Sequence, residues 1–368
     1  MLTGPTADNL VAAVASACRS RLDADSLRAA VLPRLRKAVP IDALWWASAD
    51  PATLLFTRSY REELPETSGP YFVDNEFLHQ DVNKWTELAC QATGVGTLMQ
   101  ATGGHPASSD RYRDIFAPLG LQDELRAVLR IRDTCWGYIC LHREGPQVFS
   151  RDEARFIQRL APYLAEGLRQ GLLRQACHLN EAQGGPGLVM LAADGAVAGL
   201  NGAAGQWLED LGGHADGSDL PIEISALARF RHLPPTGPAM PRLQVRTRSG
   251  RWAVLHASWM NAPAEKPITV IIQEAAPAEV APLIMAAYGL TDRERTISAL
   301  VCQGMSTRQI AGQLHLTADT VQDHLKSVFD RTGVHSRGQL VATIFERDYL
   351  PHAIAGDSLN PAGAFTAG

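Results

Sequence analysis

Hydroxyl, amide and charged side chains gather in a short stretch near the end of the chain. Ser306, Thr307 and Arg308 stand where a helix is predicted to begin. A hydroxyl or guanidinium group at that end of a helix can bind phosphate beside the free N–H groups. Further along, the amide of Gln322 suits the edge of adenine, and the carboxylate of Asp323 can accept a hydrogen bond from cytosine. This chemistry indicates a contact with nucleic acid.

Two helix starts and a turn must position these side chains. Thr291 with Glu294, and Ser306 with Gln309, form capping-box patterns that mark the starts. Gly304 supplies the positive φ with which the first helix can end. Apolar residues at helical spacing define the buried faces of the next two helices. They are Ile310, Ala311 and Leu314 on one helix, and Val321, Leu325 and Val328 on the helix that Thr317 caps. The pattern predicts a helix-turn-helix.

The segment resembles the DNA-binding domain of LuxR-type regulators over about a sixth of the chain. The residues in register with that family are Leu290, Thr291, Arg293, Glu294, Gly304, Ser306, Ile310, Ala311, Leu314, Thr320, Val321, His324, Gly333, Val334 and Arg337. The resemblance implies an all-α domain over residues 284–348, whose helix from about Thr317 enters the major groove of double-stranded DNA. The DNA contacts expected on this basis are Ser306, Thr307, Arg308, Thr317, Thr320, Gln322, Asp323, His324, Lys326, Ser327 and Arg331.

Two positions depart from the family's pattern. Gln322 stands where the family usually has Lys, so one cation is missing. Asp323 places a carboxylate on the side that faces the groove. It can read a base, pair with Lys326 or Arg331, or weaken binding by repelling phosphate. A base contact and an intrahelical ion pair both stay open as roles for Asp323.

The predicted DNA-binding module is not basic. The chain has a net charge of -5, and seven cations between Leu290 and Asp348 are matched by seven anions. Few cations release few counterions, so we expect weak monomeric binding and a homodimer that spans two half-sites of an operator. The helix expected from about Ser336 to Phe345 can supply the dimer contact through Leu340, Val341 and Ile344, or it can close the core of the module.

Residues 1–175 are predicted to form an α/β domain. Two hairpins flank a long middle segment, and Ser150 with Glu153 caps a closing helix. This order, with the stretch 135–169, resembles a GAF domain, which implies a ligand cavity between the sheet and the middle segment. Aromatic residues of that segment either line the cavity or cover the sheet. They are Tyr71, Phe72, Phe77, Trp85, Tyr112 and Phe116.

Polar residues of the same region carry weaker signals. Asp74, Asn75 and Glu76 are candidate anchors for a ligand, or they form a solvated loop. Cys140 and His142 lack the adjacent Cys-His arrangement of bilin-carrying relatives. The six cysteines of the chain contain no CxxC pair, so neither a metal site nor a disulfide framework is indicated. No cofactor is evident, although an unidentified small-molecule effector fits a sensor domain.

The rest of the chain completes an α+β multidomain organisation. Residues 183–275 resemble a PAS domain, on the runs 187–208 and 248–258, which implies a five-stranded sheet. A linker over 276–283 and a flexible tail over 349–368 are expected. The helix from Ser150 to about Gln175 has an apolar stripe that suits pairing across a dimer axis or a lid on the sheet.

Two classes of function fit the sequence. The first is a one-component bacterial transcription regulator, with a small molecule bound in the GAF-like or the PAS-like domain. The alternative is a sensory or scaffold protein whose C-terminal helices bind a protein partner. No enzyme is expected, because the chain has no phosphate-binding loop, zinc-protease or esterase motif. Neither a membrane segment nor a signal peptide is indicated, so we expect a cytoplasmic protein.

Overall fold

The computed structural model describes residues 5–20, 22–65, 68–174, 185–229, 242–259, 267–344, 358–359 and 365–366. These residues form two compact units. The first contains two five-stranded β-sheets with their helices, and the second contains the helices from Ala275 onward. The mixed α and β fold class predicted from the sequence is therefore observed.

The first sheet has the strand order β2-β1-β5-β4-β3, and all of its neighbouring strands are antiparallel. Its strands are β1 Ala43–Ala49, β2 Phe56–Glu62, β3 Val95–Thr97, β4 Leu121–Ile131 and β5 Thr134–Glu144. The pairs β1–β2 and β4–β5 are the two predicted hairpins, which are confirmed. The short β3 was not predicted, because three residues carry no readable alternation.

Three long helices pack together in the first unit: α1 Pro5–Arg19, α2 Ala24–Ala38 and α6 Arg151–Arg174. Most of the apolar stripe of α6 is buried, with Tyr163 exposed, and α6 lies against α1, α2 and the strands β4 and β5. Gly167 permits close packing, since a Cβ there would lie 2.8 Å from Leu27. Of the two roles expected for this stripe, a dimer contact and a cover for the sheet, the structure shows the cover for the sheet.

The middle segment of the first sheet region is largely helical. It contains α3 Ser68–Leu78, α4 Trp85–Cys90, α5 Leu98–Ala101 and a π-helical turn over Tyr112–Phe116. Asn75 and Glu76 are buried rather than part of a solvated loop, and Asp74 pairs with Arg229 at 2.5 Å. These three polar residues of α3 therefore stabilise the fold of the first unit.

A buried ionic network joins this segment to the sheet. The Glu124 carboxylate accepts hydrogen bonds from Arg111 at 2.8 Å and from Arg126 at 3.0 Å. Arg126 also donates to Glu76 at 2.8 Å, and Arg111 donates to Asn75 at 3.0 Å. Burial opposes ionisation of Glu124, but the two guanidinium groups outweigh it and lower its pKa to about 2. The three groups are therefore charged at neutral pH.

The second sheet has the order β7-β6-β10-β9-β8, which repeats the topology of the first. Its strands are β6 Gly187–Leu191, β7 Val197–Leu200, β8 Arg242–Arg246, β9 Trp252–Trp259 and β10 Ile268–Glu274. These are the five strands that the PAS resemblance implies. Asn201 caps the helix α7 Gly202–Leu211, where its side chain accepts from the N–H of Ala204 at 2.9 Å. A second helix, α8, covers Ile222–Arg229.

The second unit consists of short helices around one core. They are α9 Pro277–Ala287, α10 Asp292–Cys302, α11 Thr307–Leu314, α12 Ala318–Thr332 and α13, described over 337–344. Leu340 and Ile344 of α13 are buried in this core, and Val341 packs against it. Closing the core, one of the two roles expected for the last helix, is therefore observed.

The boundaries of the domains remain predictions. The expected linker 276–283 contains the start of α9, where Glu279 accepts a hydrogen bond from the N–H of Ala276 at 2.8 Å. Most of the expected tail lies outside the described residues, apart from the paired strands Ser358–Leu359 and Phe365–Thr366. None of the described helices combines the length and apolar character needed to cross a lipid bilayer.

Replacing Glu124 with Gln should lower the free energy of unfolding of the first unit by about 3–5 kcal/mol, because two buried guanidinium groups lose a carboxylate that they share. Urea denaturation followed by circular dichroism measures this loss. Asp152→Asn is the matched control, since Asp152 pairs with Arg155 at 3.5 Å on the exposed side of α6. We expect the control to change stability by less than about 1 kcal/mol. Equal effects of the two substitutions would contradict the network's role.

Candidate nucleic-acid interface

Helices α10 and α11 begin at the two capping boxes that the sequence predicts. The Thr291 hydroxyl accepts from the N–H of Glu294 at 3.3 Å, and the Glu294 carboxylate accepts from the N–H of Thr291 at 2.7 Å. Ser306 and Gln309 repeat the arrangement at 3.3 and 2.8 Å. Side chains thus satisfy the N–H groups at both helix starts, which fixes the first turn of each helix.

A short turn joins α11 to α12. His315 ends α11 in the left-handed region, with a φ of 53°. Arg293 of α10 donates to the carbonyl of Leu314 at 3.0 Å, and Thr317 caps α12 by accepting from the N–H of Thr320 at 3.1 Å. These bonds set the direction in which α12 leaves the turn.

Helix α12 has a buried face and an exposed face. Val321, Leu325 and Val328 lie in the core of the module. Because these residues recur at helical spacing, the opposite side of α12 faces solvent. The exposed residues on that side are Asp319, Gln322, Asp323, Lys326 and Asp330. Three of the predicted base-contacting side chains therefore share one accessible face.

Three other predicted contact residues are engaged inside the module. The Ser327 hydroxyl donates to Glu294 at 2.6 Å. Arg331 donates to a backbone carbonyl and lies 3.7 Å from the same carboxylate. Thr307 accepts from the Arg337 guanidinium at 2.9 Å. The family resemblance implied DNA contacts for these three residues. In the structure their side chains contact residues of neighbouring helices, which the spacing within one helix cannot reveal.

The remaining candidates divide by their contacts. The hydroxyl groups of Thr317 and Thr320 lie 2.8 Å apart at the start of α12, the Ser306 hydroxyl donates to Gln309, and His324 is half-buried. The exposed candidates without a hydrogen-bond or ion-pair partner in the described part of the chain are Arg308, Gln322, Asp323 and Lys326. The ion pair expected as one role of Asp323 is therefore not formed with either Lys326 or Arg331.

Glu294 is the centre of the contacts between α10 and α12. Its burial opposes ionisation, but hydrogen bonds from Ser327 and Thr291, and the nearby charge of Arg331, outweigh that effect and lower its pKa. The carboxylate is therefore ionised at neutral pH, where it caps α10 and binds two side chains of α12. This one side chain fixes how α12 is rotated on the module.

The surface of the module carries little positive charge. Arg293, Arg331 and Arg337 are bound to backbone or side-chain oxygens, and Arg295 pairs with Asp292. Two cations, Arg308 and Lys326, have no partner within the described module. Three exposed carboxylates also have no partner within the described module, and they are Asp319, Asp323 and Asp330. On the exposed face of α12, three carboxylates thus outnumber the one cation, Lys326, although cations and anions are balanced over the whole module in the sequence.

Three of the six aromatic residues predicted to line a ligand cavity form a packed layer against the first sheet. Trp85 lies 4.6 Å from Tyr138 and 6.1 Å from Trp45, and Phe72 lies 5.1 Å from Trp45, measured between ring centroids. Phe77 contacts the same group through Phe56 at 5.9 Å. We define this aromatic layer as Trp45, Phe56, Phe72, Phe77, Trp85 and Tyr138.

The other three candidates have different surroundings. Tyr71 is 64% exposed. Phe116 and Tyr112 belong to the same hydrophobic core as the aromatic layer, where Phe116 lies 4.8 Å from His142 and the Tyr112 hydroxyl lies 3.5 Å from Gln122. A ligand cavity lined by the six residues remains a prediction.

Two hydrogen-bond donors within the aromatic layer have no acceptor among the described residues. They are Nη2 of Arg126 and the indole N–H of Trp85, and both are buried. The Arg126 guanidinium lies 4.5 Å from the centre of the Trp85 ring and 5.1 Å from that of Phe72. A buried donor without an acceptor is costly, so this point of the layer suits an added hydrogen-bond acceptor.

Glu124, Cys140 and His142 bring potential metal-ligand atoms within 4.8 Å of one another. The Glu124 carboxylate, however, already accepts from two arginines, whose charges oppose a cation. Burial raises the pKa of the Cys140 thiol well above its ordinary value and lowers that of His142 to about 4. The group therefore belongs to the ionic network and does not suit a metal ion.

Comparison with known proteins identifies the C-terminal module. The family model described as bacterial regulatory proteins, luxR family, matches residues 289–344. The spore germination protein GerE of Bacillus subtilis is 34% identical over 61 residues, which make up 17% of this chain and 82% of GerE. The chain belongs to the luxR family.

Other relatives match only a short part of this chain. The chain is 36% identical over 59 residues to a nitrate/nitrite response regulator protein homolog of Haemophilus influenzae, and it spans 28% of that protein. It is 39% identical over 64 residues to the monoamine regulon transcriptional regulator of Klebsiella aerogenes, of which it spans 26%. These matches cover 16% and 17% of this chain.

A solved structure extends the comparison beyond the module. The crystal structure of Escherichia coli SdiA covers 91% of this chain and 95% of its own length, with 11% identity and a TM-score of 0.33. A likeness this distant does not locate any site of the present luxR-family chain.

Replacing Glu294 with Ala should destabilise the module by about 2 kcal/mol, because it removes a cap and a buried hydrogen bond to α12. Thermal unfolding of the full chain, followed through the C-terminal transition, measures this. Asp292→Ala is the control, since Asp292 lies in the same helical turn but is 93% exposed and pairs only with Arg295. Similar losses for both substitutions would show that Glu294 does not fix α12.

Proposed function

We propose that this chain is a bacterial transcription regulator that binds double-stranded DNA with α12 in the major groove. The observation that carries the proposal is the exposed face of α12 within a luxR-family module, where Gln322, Asp323 and Lys326 are free to meet base edges and phosphate. Arg308 and the capped start of α11 suit the DNA backbone. Such a protein acts in the cytoplasm.

The proposal includes a homodimer. With two unpartnered cations and three unpartnered carboxylates on the described module, one copy gains little from releasing counterions. Two copies on two half-sites combine their contacts without any new charge. Most of the apolar stripe of α6 and the buried residues of α13 pack within their own chain, which leaves little of their apolar surface for a dimer contact.

A scaffold protein whose C-terminal helices bind a protein partner is the competing function. A scaffold of this kind does not require Lys326 to contact phosphate, and it does not require an affinity for DNA that depends on the base sequence. Retardation of fragments from the chain's own upstream DNA at low salt separates the two functions. Failure of the full chain to retard any such fragment would favour the scaffold.

We expect Lys326→Gln and Asp323→Asn to change DNA affinity in opposite directions. The first removes a phosphate-binding cation and should weaken binding about equally on all sequences, with a salt dependence reduced by about one counterion. The second removes a repulsive charge. Titrations of labelled duplexes at several salt concentrations measure both effects. The control is Asp330→Asn, an unpaired carboxylate one helical turn or more beyond Asp323 on the same exposed face.

The outcome for Asp323 also decides its role. A changed preference at one base position, with a loss of about 1–3 kcal/mol on the preferred base, identifies a contact with cytosine. A uniform gain on all sequences identifies a carboxylate that only repels phosphate. No effect of either Lys326→Gln or Asp323→Asn on DNA binding would contradict the placement of α12.

We further propose that a small molecule binds at the aromatic layer of the first sheet and modulates DNA binding. Support comes from the two buried donors without acceptors, Nη2 of Arg126 and the indole N–H of Trp85. An effector for this place carries a hydrogen-bond acceptor, such as a carbonyl oxygen, on an apolar body that fits among the rings. The packed rings must shift to admit it.

Trp85→Phe should abolish the stabilisation of the full chain by such an effector while retaining an aromatic ring beside Tyr138. Thermal shift assays against a metabolite panel measure this, since a ligand of the native state raises its melting temperature. Trp46→Phe is the matched control, because Trp46 neighbours Trp45 on β1 and so points to the opposite face of the sheet. If Trp85→Phe retains every shift seen with the wild type, the effector binds elsewhere.

A further inference from the structure

A cleft of about 410 Å³ opens in the first unit, away from the aromatic layer. Strand β2, the start of α2 and the residues around α8 and the end of β8 form its walls. Its volume lies at the small end of the range for ligand sites, which fits a metabolite rather than a single inorganic ion or a peptide. Nothing in the resemblances or in the proposed function uses this cleft.

Arginines dominate the charge of the cleft. Five guanidinium groups line it, together with three carboxyl groups, so the excess is two positive charges when all are ionised. The arginines are Arg28, Arg58, Arg61, Arg246 and Arg248. For a chain whose net charge is -5, this is a strong local concentration of positive charge. A concave cationic surface attracts and retains anions.

The carboxyl groups neutralise these arginines only in part. One carboxylate, Asp25, is shared between Arg28 at 2.7 Å and Arg58 at 2.5 Å. Asp219 lies 3.9 Å from Arg61. The third, Glu223, makes no ion pair with any described residue, and burial raises its pKa to about 7. Glu223 is therefore partly protonated near neutral pH and subtracts less than a full charge from the cleft.

Three guanidinium groups retain free edges. In Arg28, Arg58 and Arg248, only Nη2 is hydrogen-bonded to a described residue. The Nε and Nη1 donors of each remain available, and a planar guanidinium edge matches two oxygens of a carboxylate or phosphate.

The fold holds two of these groups in place before any ligand binds. Arg28 stacks on the Tyr60 ring at 3.7 Å. Arg248 lies over Gly212, whose φ is 103° and where a Cβ would stand 2.7 Å from the guanidinium. Glycine at this position therefore makes room for the arginine. Groups ordered in advance lose less entropy on binding, which favours affinity.

We propose that this cleft binds a small organic dianion, either a phosphate ester or a di- or tricarboxylate, through the guanidinium groups of Arg28, Arg58 and Arg248. Two acidic groups on one ligand match the charge excess and the spread of the arginines over separate walls. The Ser225 side chain also lines the cleft and provides a hydroxyl for a further oxygen. The inference goes beyond the proposed function and stands even if the module binds no DNA.

Isothermal titration of the full chain with glucose 6-phosphate and with citrate tests the proposal, and glucose is the neutral control ligand. We expect one-to-one binding of at least one anion and none of glucose. Arg58→Gln and Arg248→Gln should each weaken that binding about tenfold or more, since each removes a charged hydrogen-bond donor. Tighter binding of glucose 6-phosphate than of citrate identifies a phosphate ester as the preferred class of ligand, and tighter binding of citrate identifies a di- or tricarboxylate.

Two further variants separate charge in the cleft from general effects. Arg155→Gln removes an arginine that is 74% exposed on α6 and should leave binding unchanged. Glu223→Gln removes the opposing carboxyl with little change of shape and should leave binding equal or tighter. No heat with either anion, equal binding by Arg58→Gln and wild type, or loss of binding in Glu223→Gln would overturn the proposal. DNA retardation by the same preparations reports the proposed function separately.

Discussion

A carboxylate that leaves water must find a counterion or take up a proton, and three buried glutamates of this chain meet that constraint in different ways. Glu124 lies between two guanidinium groups and stays ionised, with its pKa lowered to about 2. Glu294 keeps its charge through hydrogen bonds from α12 and the cap of α10. Glu223 has no ion pair with a described residue, and its pKa rises to about 7. Each solution serves a different part of the molecule.

The consequences follow from what each glutamate holds. Glu124 ties the helical middle segment to the first sheet, so it keeps Arg126 among the rings of the aromatic layer. Glu294 sets the rotation of α12, and thereby which residues of that helix face outward. The half-neutralised Glu223 leaves the arginines of the cleft with a surplus of charge. The contact of the middle segment with the first sheet, the rotation of α12 and the charge of the cleft thus all depend on the cost of burying an ionised carboxylate.

Much of the architecture could be predicted from the sequence because its signals are local. The hairpins β1–β2 and β4–β5, and the capping boxes at Thr291 and Ser306, follow from residues close together in the chain. The ionic network could not be predicted, since Arg126 and Glu76 are 50 residues apart. Ser327 was placed on the exposed face by helical spacing alone, and its bond to Glu294 crosses 33 residues. The cleft depends on residues still further apart, so no local pattern marks it.

The small number of cations on α12 has a consequence for the proposed regulation. Phosphate attraction contributes the same free energy on every sequence, so a module with few unpartnered cations gains a larger share of its affinity from base contacts and DNA shape. On the proposed function, the total affinity for DNA is then modest. A ligand with a coupling free energy of about 1–3 kcal/mol would change that affinity by roughly 5- to 150-fold. Weak binding by each copy would thereby make small-molecule control effective, whereas a strongly basic helix would stay bound to DNA whether or not a ligand is present.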